Sequence, residues 1–429
     1  MIILRVFLSL MDIRTYSSFF ATDRISNLPC DVLDNILKYL PVHDAVKTSI
    51  LSRGWRYRWV TIPHLVFDEN FLQILRGTYT MESIVYQILL LHKGPIVKFI
   101  LELPYDLGPA VDHWFHFLSN HCIEELKLKF PYIEIHRAMP HHLFTFDQLK
   151  HLHLVNAVLE SPSTFEGFSR LVKLDLVNVR IDSGKLTSFI SKCPMLKYLN
   201  IYRNYHSICG NIEIEAPNLE SFCFEGILRS ICFVKAPLLE EITITLSKKS
   251  SVRVFRELES NLIEFFGRLS FIKRLRLNGG FLQFLARSEV PQNLPNNLCQ
   301  LVVLDLFGVD FSIIGEVTCA LCLIRSSPTL QILQIRSTTI RDVDVEDVVQ
   351  YLKAQQKWKH RHLKKVNILQ FSGSEAELEF VKLLLSSATA LRKLEFYPSL
   401  ADEYEGFFML KKLARFRRAS SKAELIFHL

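Results

Sequence analysis

The sequence predicts an α/β repeat fold in which a short three-helix module precedes an irregular solenoid, and a C-terminal unit closes the array. Three observations predict it. A short pattern of alternating leucines recurs along most of the chain. Before it, at positions 23–59, apolar residues follow helical rather than alternating spacing. The chain has 429 residues, which is long for one compact domain and typical of several domains or a repeat array.

The composition indicates a packed protein and narrows its class. Hydrophobic residues make up 49% and charged residues 22%, so there is ample apolar material for a core. A formal net charge of +7 is small for this length, and it lacks the basic stripe of a dedicated nucleic-acid binder. The nine cysteines are scattered and odd in number, which favours free thiols in a reducing compartment. We therefore expect a location in the nucleus and/or cytoplasm, and no nucleic acid as a partner.

The first residues predict no membrane anchor. The apolar run from Ile2 to Leu10 is short, is broken by Arg5 and has no clean small-residue cleavage site after it. It is too short to span a bilayer, and no later segment has an unbroken apolar run of about 18 residues. Residues 1–20 are interpreted as a disordered leader or upstream-start extension, with a secretory signal as the alternative. We expect a soluble protein with no membrane partner.

Residues 21–62 form the predicted helical module. Pro29 stands in the first turn of a helix, where its missing N–H costs nothing, and Asp31 suits the positive end of the helix dipole. Pro41 ends this helix and begins the next, while Trp55 and Trp59 share a face of a third. The apolar stripe of the first helix consists of Val32, Leu33, Ile36, Leu37 and Leu40. About 40 residues cannot bury all this apolar surface, so part of it must face either the first repeat or a partner.

The stretch from Asp23 to Trp59 resembles an F-box, in the plant form with LP-x-x-[VL]-L-x-x-I-L-x-x-L-P followed by DA-V-x-TS-[IV]-LS-x-x-W-R-x-x-W. Val42 departs from the pattern, since a capping hydroxyl often precedes the second helix there, and Gly54 lowers local helix propensity. The resemblance implies a Skp-family adaptor as partner and, through it, a cullin scaffold. The residues that it implies contact the adaptor, or support the contact, are Leu28, Pro29, Val32, Ile36, Leu37, Leu51 and Trp55.

A pattern L-x-x-L-x-L recurs through residues 63–360 and beyond, at spacings of roughly 20 to 33 residues that bracket the leucine-rich-repeat period. Its copies begin at Ile96, Ile123, Leu149, Leu171, Leu196, Leu219, Leu239, Ile272, Leu301, Leu330, Leu363 and Leu391. Alternation within each copy predicts a strand with one buried face, and stacked copies share one core. Regular leucine-rich repeats carry Asn or Cys shortly after the last leucine of this pattern. Only Asn204 fits here, against Val179, Val309, Thr338 and Phe371, so irregular repeats of uneven curvature are expected.

The residues between the buried leucines are expected to line the concave face, where solenoids commonly bind partners. Exposed aromatic residues near arginine resemble interface hot spots. The candidates for binding a protein substrate are Tyr198, Tyr202, Arg274, Arg276, Phe307 and Arg336. Ordinary solvated strand residues are the alternative for each of them.

Residues 361–429 predict the last unit of the array. A strand leads to Gly373, Ser374 and Glu377 form a capping-box pattern, and a Leu-rich strand follows from Leu391. This order resembles the FBD element found after the repeats of many plant F-box proteins. The basic tail from Lys411 to Arg418 is interpreted as a solvated helix end, with a nuclear signal or nucleic-acid patch as the alternative.

No catalytic, metal or cofactor site is predicted. Cys319 and Cys322 form a lone C-x-x-C without a second pair at zinc spacing. The pairs His141–His142 and His151/His153 are better explained as exposed histidines. No phosphate loop or nucleophile–base set is present. The expected function is that of a non-catalytic substrate-recognition subunit of a Skp–cullin–F-box ubiquitin ligase. The alternatives are a repeat scaffold capped by its N-terminal helices and an enzyme that uses Cys or His.

Overall fold

The computed structural model describes residues 28–51, 54–74, 80–105, 110–132, 137–203, 208–247, 262–269, 271–339, 344–355, 358–399 and 403–428. The predicted leader at 1–20 and Asn204 lie outside them. The chain forms two compact units. One comprises residues up to Ile181 with Lys192–Leu196, and the other comprises Asp182–Ser191 with Lys197–Leu429.

The first unit begins with the helical module. Helices α1 (Cys30–Leu37) and α2 (Val42–Lys47) are followed by 3-10 helices at Thr48–Ile50 and Arg58–Thr61. The third predicted helix is therefore only a turn and a short 3-10 segment, consistent with the low helix propensity of Gly54. The remaining helices of this unit are α3 (Glu69–Ile74), α4 (Met81–Leu91), α5 (Ala110–Leu118) and a 3-10 helix at His141–Thr145.

The strands of the first unit form a parallel sheet. Its members are β1 (His64–Phe67), β2 (Lys98–Glu102), β3 (Glu125–Lys129), β5 (His151–Val155) and β7 (Lys173–Val177), which pair in that order. Two short strands, β4 (Arg137–Ala138) and β6 (Ala157–Val158), pair separately. Along each main strand every second side chain is buried, as the alternation of leucines predicts.

The second unit repeats this arrangement with more helices. They are α6 (Ser183–Ser191), α7 (Leu262–Gly267), α8 (Gly279–Leu285), α9 (Ile314–Arg325), α10 (Glu346–Ala354), α11 (Glu375–Ser387) and α12 (Glu403–Ala414). The strands are β8 (Tyr198–Tyr202), β9 (Ile208–Glu215), β10 (Ser221–Lys235), β11 (Glu241–Leu246), β12 (Arg274–Asn278), β13 (Val303–Val309), β14 (Ile332–Ser337), β15 (Lys365–Phe371), β16 (Lys393–Pro398) and β17 (Glu424–Phe427). All but β9 pair in parallel in chain order.

The predicted strands are confirmed. Each copy of the leucine pattern, from Ile96 to Leu391, begins two residues before a strand. Five strands were not predicted: β1, β4, β6, β9 and β17. Two of these, β1 and β17, are the outer strands of the main parallel order. In β1 the pattern is present as Ile62 to Phe67 but has a proline inside it, and before β17 the first leucine is replaced by Lys422. The sheet therefore continues past β16. The basic stretch from Lys411 to Arg418 contains the last turn of α12 and exposed residues after it, and β17 follows this stretch.

Strands replace helices in one part of the second unit. The first half of β10 pairs with β8 and β11, and after Gly226 the chain bends so that its second half pairs with β9. Gly226 has φ +149°, which disfavours residues with a Cβ. The leucine copies at Leu196, Leu219 and Leu239 are among the most closely spaced. A strand covers about twice the distance per residue that a helix does. The short segments between these copies therefore form strands rather than helices on the outer side of the repeats.

The position at which the regular motif carries asparagine is occupied by buried Val179, and an asparagine stands one residue earlier, at Asn178. Asn156 and Asn178 end their strands in the left-handed region, with φ 56° and 52°. The Asn178 Nδ2 donates to Asn156 Oδ1 at 2.8 Å, and the Asn156 Nδ2 donates to the Phe130 carbonyl at 2.9 Å. The Asn156 side chain thus satisfies the Phe130 carbonyl, while Gly308 and Gln370 take up positive φ in later repeats. The residue with positive φ near the end of the strand therefore differs in type from repeat to repeat.

His92 makes the stability of the first unit depend on pH. Its ring is buried, and burial, with a smaller contribution from nearby His121, lowers its pKa from 6.5 to about 4. Between these two values the unfolded chain binds more protons than the folded chain, so the free energy of unfolding falls as the pH drops from about 6.5 to about 4.

We expect His92 to account for about 2 kcal/mol of the fall in the free energy of unfolding between pH 7 and pH 5. The His92→Leu variant should therefore lack this part of the fall. Urea unfolding at pH 8, 7 and 5 measures it. The pH 8 comparison isolates the packing change, because both states of the wild type are then neutral at this position. Equal pH dependence in wild type and variant would contradict the assignment. A residual dependence is expected, since burial also lowers the pKa of His43 and His360.

Among the described residues, no helix is both long enough and apolar enough to cross a bilayer.

Candidate functional site

The helical module has its own apolar core. Helix α1 follows Pro29, and its inner residues Leu33 and Leu37 are buried. The Arg58 guanidinium lies 3.4 Å from the Asp34 carboxylate and ties the last segment of the module to α1. Helix α2 has no side-chain cap, as the departure at Val42 predicted, but Val42 is fully buried and contributes packing in place of a capping hydrogen bond.

The opposite side of the module is apolar and exposed. Val32 and Ile36 are each 41% exposed and lie four residues apart, so they share the outer face of α1. Leu51, beside the first 3-10 helix, is 57% exposed. Further exposed apolar side chains of the same module are Tyr39, Ile50 and Tyr57. Large apolar side chains concentrated on so small a module indicate an interaction surface.

The structure divides the predicted adaptor-binding residues into two groups. Pro29, Val32, Ile36 and Leu51 are exposed, and Leu28 is half-buried. Leu37 and Trp55 are almost fully buried, at 1% and 3%. These two are placed to hold the helices in position rather than to touch a partner directly.

The module also packs against the first repeat. The ring of His64 in β1 lies 3.1 Å from the Lys38 carbonyl, and the Val60 carbonyl accepts a hydrogen bond from the Lys93 N–H at 2.8 Å. His43 in α2 lies near Phe71, with ring centroids 6.2 Å apart. The helices therefore cap the first strand with one side and leave the apolar side of α1 uncovered.

A second group of candidate residues lies on the open face of the sheet in the second unit, where side chains less buried than the inward leucines alternate with them. Here the Arg276 Nε lies 3.1 Å from Asp305 Oδ2, and the Arg276 guanidinium lies 4.9 Å from the centroid of the Phe307 ring. Arg336 is directly across from Phe307 on the neighbouring strand. Burial raises the pKa of Asp305, and the positive charges of Arg276 and Arg336 partly oppose this.

The other predicted substrate residues are elsewhere on this face. The Tyr198 hydroxyl donates to Glu220 Oε2 at 3.4 Å, and Tyr202 lies on the same strand. Strands β10 and β11 separate β8 from β12, a distance of about 15 Å at ordinary strand spacing. Arg274 pairs with Glu241 at 3.4 Å. The structure thus brings together Arg276, Phe307 and Arg336 and leaves the two tyrosines apart.

Two contributors were not among the sequence candidates. Asp305 forms an ion pair with Arg276. The Glu395 carboxylate contacts three groups: Lys365 at 3.0 Å, the Tyr397 hydroxyl at 3.1 Å and the His428 ring at 3.6 Å. Asp305 already stood at an open-face position of its leucine pattern. His428 was out of reach because β17 lacks the leucine that marks the other strands.

Among the described residues, the cysteines of the C-x-x-C pair are buried, and one histidine of each pair contacts an ordinary neighbour. Cys319 and Cys322 are buried in α9, and burial raises the pKa of both thiols, that of Cys322 to about 11. His142 packs against His116, and His153 lies 3.4 Å from Asp175. No group of three potential metal ligands occurs within the part of the chain that the structure describes.

These features define a leucine-rich-repeat protein that carries an N-terminal helical module. Residues 25–64 match the family model of the F-box domain, and residues 360–396 match that of the FBD. Residues 111–335 match the model described as "FBD-associated F-box protein At5g56370, LRR repeats". The last match includes Arg276 and Phe307 on the open face and ends one residue before Arg336.

Two Arabidopsis thaliana proteins are similar over nearly the whole chain. The F-box/FBD/LRR-repeat protein At1g13570 is 31% identical over 413 residues, which are 94% of this chain and 98% of that protein. The F-box/FBD/LRR-repeat protein At5g56420 is 26% identical over 449 residues, covering 94% and 99%. The chain belongs to the F-box/FBD/LRR-repeat family of plant proteins. Its general role is that of an F-box adaptor protein, in a family that is generally non-catalytic.

Proposed function

We propose that the chain is the substrate-recognition subunit of a Skp–cullin–F-box ubiquitin ligase and is located in the nucleus and/or cytoplasm. The F-box binds a Skp-family adaptor, the adaptor binds a cullin scaffold, and the repeats hold a substrate protein. The chain itself carries out no chemistry. It raises the concentration of the substrate near a ubiquitin-loaded enzyme that is held elsewhere in the complex.

The uncovered apolar side of α1 carries this proposal. If the module only capped the repeats, its outward side would be expected to be polar, as terminal units of repeat arrays are. Instead, Val32 and Ile36 face outward beside exposed Pro29. Covering these side chains with a partner stabilises the complex by about 25 cal/mol for each Å² of apolar surface removed from water.

The test is co-purification of the full chain with a Skp-family adaptor, beside a Leu28→Ala/Pro29→Ala variant. We expect a stoichiometric complex with the wild type and none with the variant. The scaffold hypothesis predicts that neither chain binds, and that result would overturn the proposal. Circular dichroism of the variant shows whether its repeats remain folded.

A further inference from the structure

The open face around β13 holds one carboxylate between two guanidinium groups. The Asp305 side chain is 19% exposed, and its Oδ2 pairs with Arg276. Its Oδ1 is buried, without a hydrogen-bond partner among the described residues. Arg336 lies close enough for its charge to lower the pKa of Asp305. Two positive charges around one negative charge leave a surplus of one positive charge.

The Arg276 side chain is held in a fixed orientation. Its Nε is engaged by Asp305 and its guanidinium lies over the Phe307 ring, so two contacts restrain it. Half of the side chain nevertheless remains exposed. Because the carboxylate takes the Nε edge, the terminal amino groups keep donors for a further oxygen ligand. A restrained guanidinium loses less conformational entropy on binding than a free one.

Arg336 offers a second set of donors on the neighbouring strand. It is exposed, and it makes no hydrogen bond or ion pair within the part of the chain that the structure describes. The strand register places it between Phe307 on β13 and Leu369 on β15. Both flanking residues are half-buried, so an apolar side chain lies on each side of the charge.

We propose that Arg276 and Arg336 together bind an Asp or Glu carboxylate in an extended segment of the substrate protein. This inference rests on the proposed function as a substrate receptor. The single surplus charge matches a carboxylate, whereas a phosphate carries nearly two charges at neutral pH. The neighbours Phe307 and Leu369 favour apolar residues beside the acidic one. The recognised segment is therefore an acidic residue flanked by apolar residues.

The test is fluorescence anisotropy of the full chain with labelled peptides. In the probe peptide each glutamate stands alone between leucines, and all other residues are glycine or serine. Matched peptides carry glutamine or phosphoserine in place of glutamate. We expect the glutamate peptide to bind about tenfold more tightly than the glutamine peptide, from one or two charge-assisted hydrogen bonds. Equal binding of these two would overturn the proposal, and tighter binding of phosphoserine would overturn the choice of a carboxylate.

Three variants separate an organised site from general charge. Arg336→Gln is expected to weaken glutamate-peptide binding about tenfold. The control, Lys382→Gln on α11, removes one charge that is paired with Glu379 and should change nothing. Asp305→Asn makes the chain more positive but frees Arg276, so binding is expected to weaken. Stronger binding by Asp305→Asn, or equal losses in Arg336→Gln and Lys382→Gln, would show that only net charge matters.

Adaptor co-purification of the same variants separates this inference from the proposed function. Arg336 lies far in sequence from the F-box, so Arg336→Gln is expected to retain the adaptor. Loss of peptide discrimination with the adaptor retained defeats only this inference. Peptide discrimination in a wild-type chain that binds no adaptor defeats the proposed function instead.

Discussion

Replacing Val32 and Ile36 together by aspartate is expected to weaken adaptor binding about 1000-fold or more, because two charges would be desolvated in an apolar interface. Each side chain is 41% exposed in the unbound chain. The free energy of unfolding should therefore change by no more than about 1 kcal/mol. Isothermal titration calorimetry with a purified Skp-family adaptor measures the affinity, and urea unfolding measures the stability.

The chain offers a matched control on another helix of the same unit. Tyr86 and Leu90 in α4 are also exposed, also apolar and also four residues apart. A Tyr86→Asp/Leu90→Asp variant introduces the same charge at the same spacing. It is expected to bind the adaptor with wild-type affinity. A similar loss in both double variants would mean that added charge, rather than the face of α1, controls binding.

Gly279→Ala is expected to give the largest loss of stability, about 3 kcal/mol or more, by overpacking a buried site. A Cβ at Gly279 would collide with the Gly308 carbonyl oxygen and with the Glu316 carboxylate. Glu316 is fully buried, and its Oε2 accepts a hydrogen bond from the Asp310 N–H at 2.8 Å. Glu316 cannot move without losing this hydrogen bond, and the Gly308 carbonyl is part of the backbone of β13.

The comparison is Gly267→Ala at the end of α7, where a Cβ would meet nothing within 4 Å. That variant should be neutral or stabilised by up to about 1 kcal/mol, since alanine restricts the unfolded chain more than glycine. Urea midpoints of both variants and the wild type measure the difference. Similar midpoints for Gly279→Ala and Gly267→Ala would show that the contacts around Glu316 are easily rearranged.

The sequence was sufficient to predict the inner strands because the leucine pattern reports directly which side chains are buried. It also predicted the capping box of α11, where Ser374 Oγ accepts from the Glu377 N–H, beside Gly373 at φ +74°. The outer layer was less predictable. Nothing in the leucine pattern distinguishes an outer helix from the outer half of β10. The spacing between copies carries that information, because a short spacer leaves room only for a strand.

The candidate sites were predicted in part. Helical spacing identified the apolar residues of α1, but it could not separate exposed Ile36 from buried Leu37, because both belong to one broad stripe. On the open face, residue type suggested Tyr198 and Arg276 equally. Their separation depends on how many strands lie between them, which follows from the order of pairing. The contact between Arg276 and Asp305 depends on a register that no single copy of the pattern contains.

Hydrogen–deuterium exchange of the full chain with and without a Skp-family adaptor tests the central claim most directly. The claim predicts slower exchange in α1 and around Thr48–Leu51 when the adaptor is present, with β12–β14 unchanged and therefore free for a substrate. Unchanged exchange throughout the chain, or slower exchange confined to the repeats, would contradict docking through the F-box.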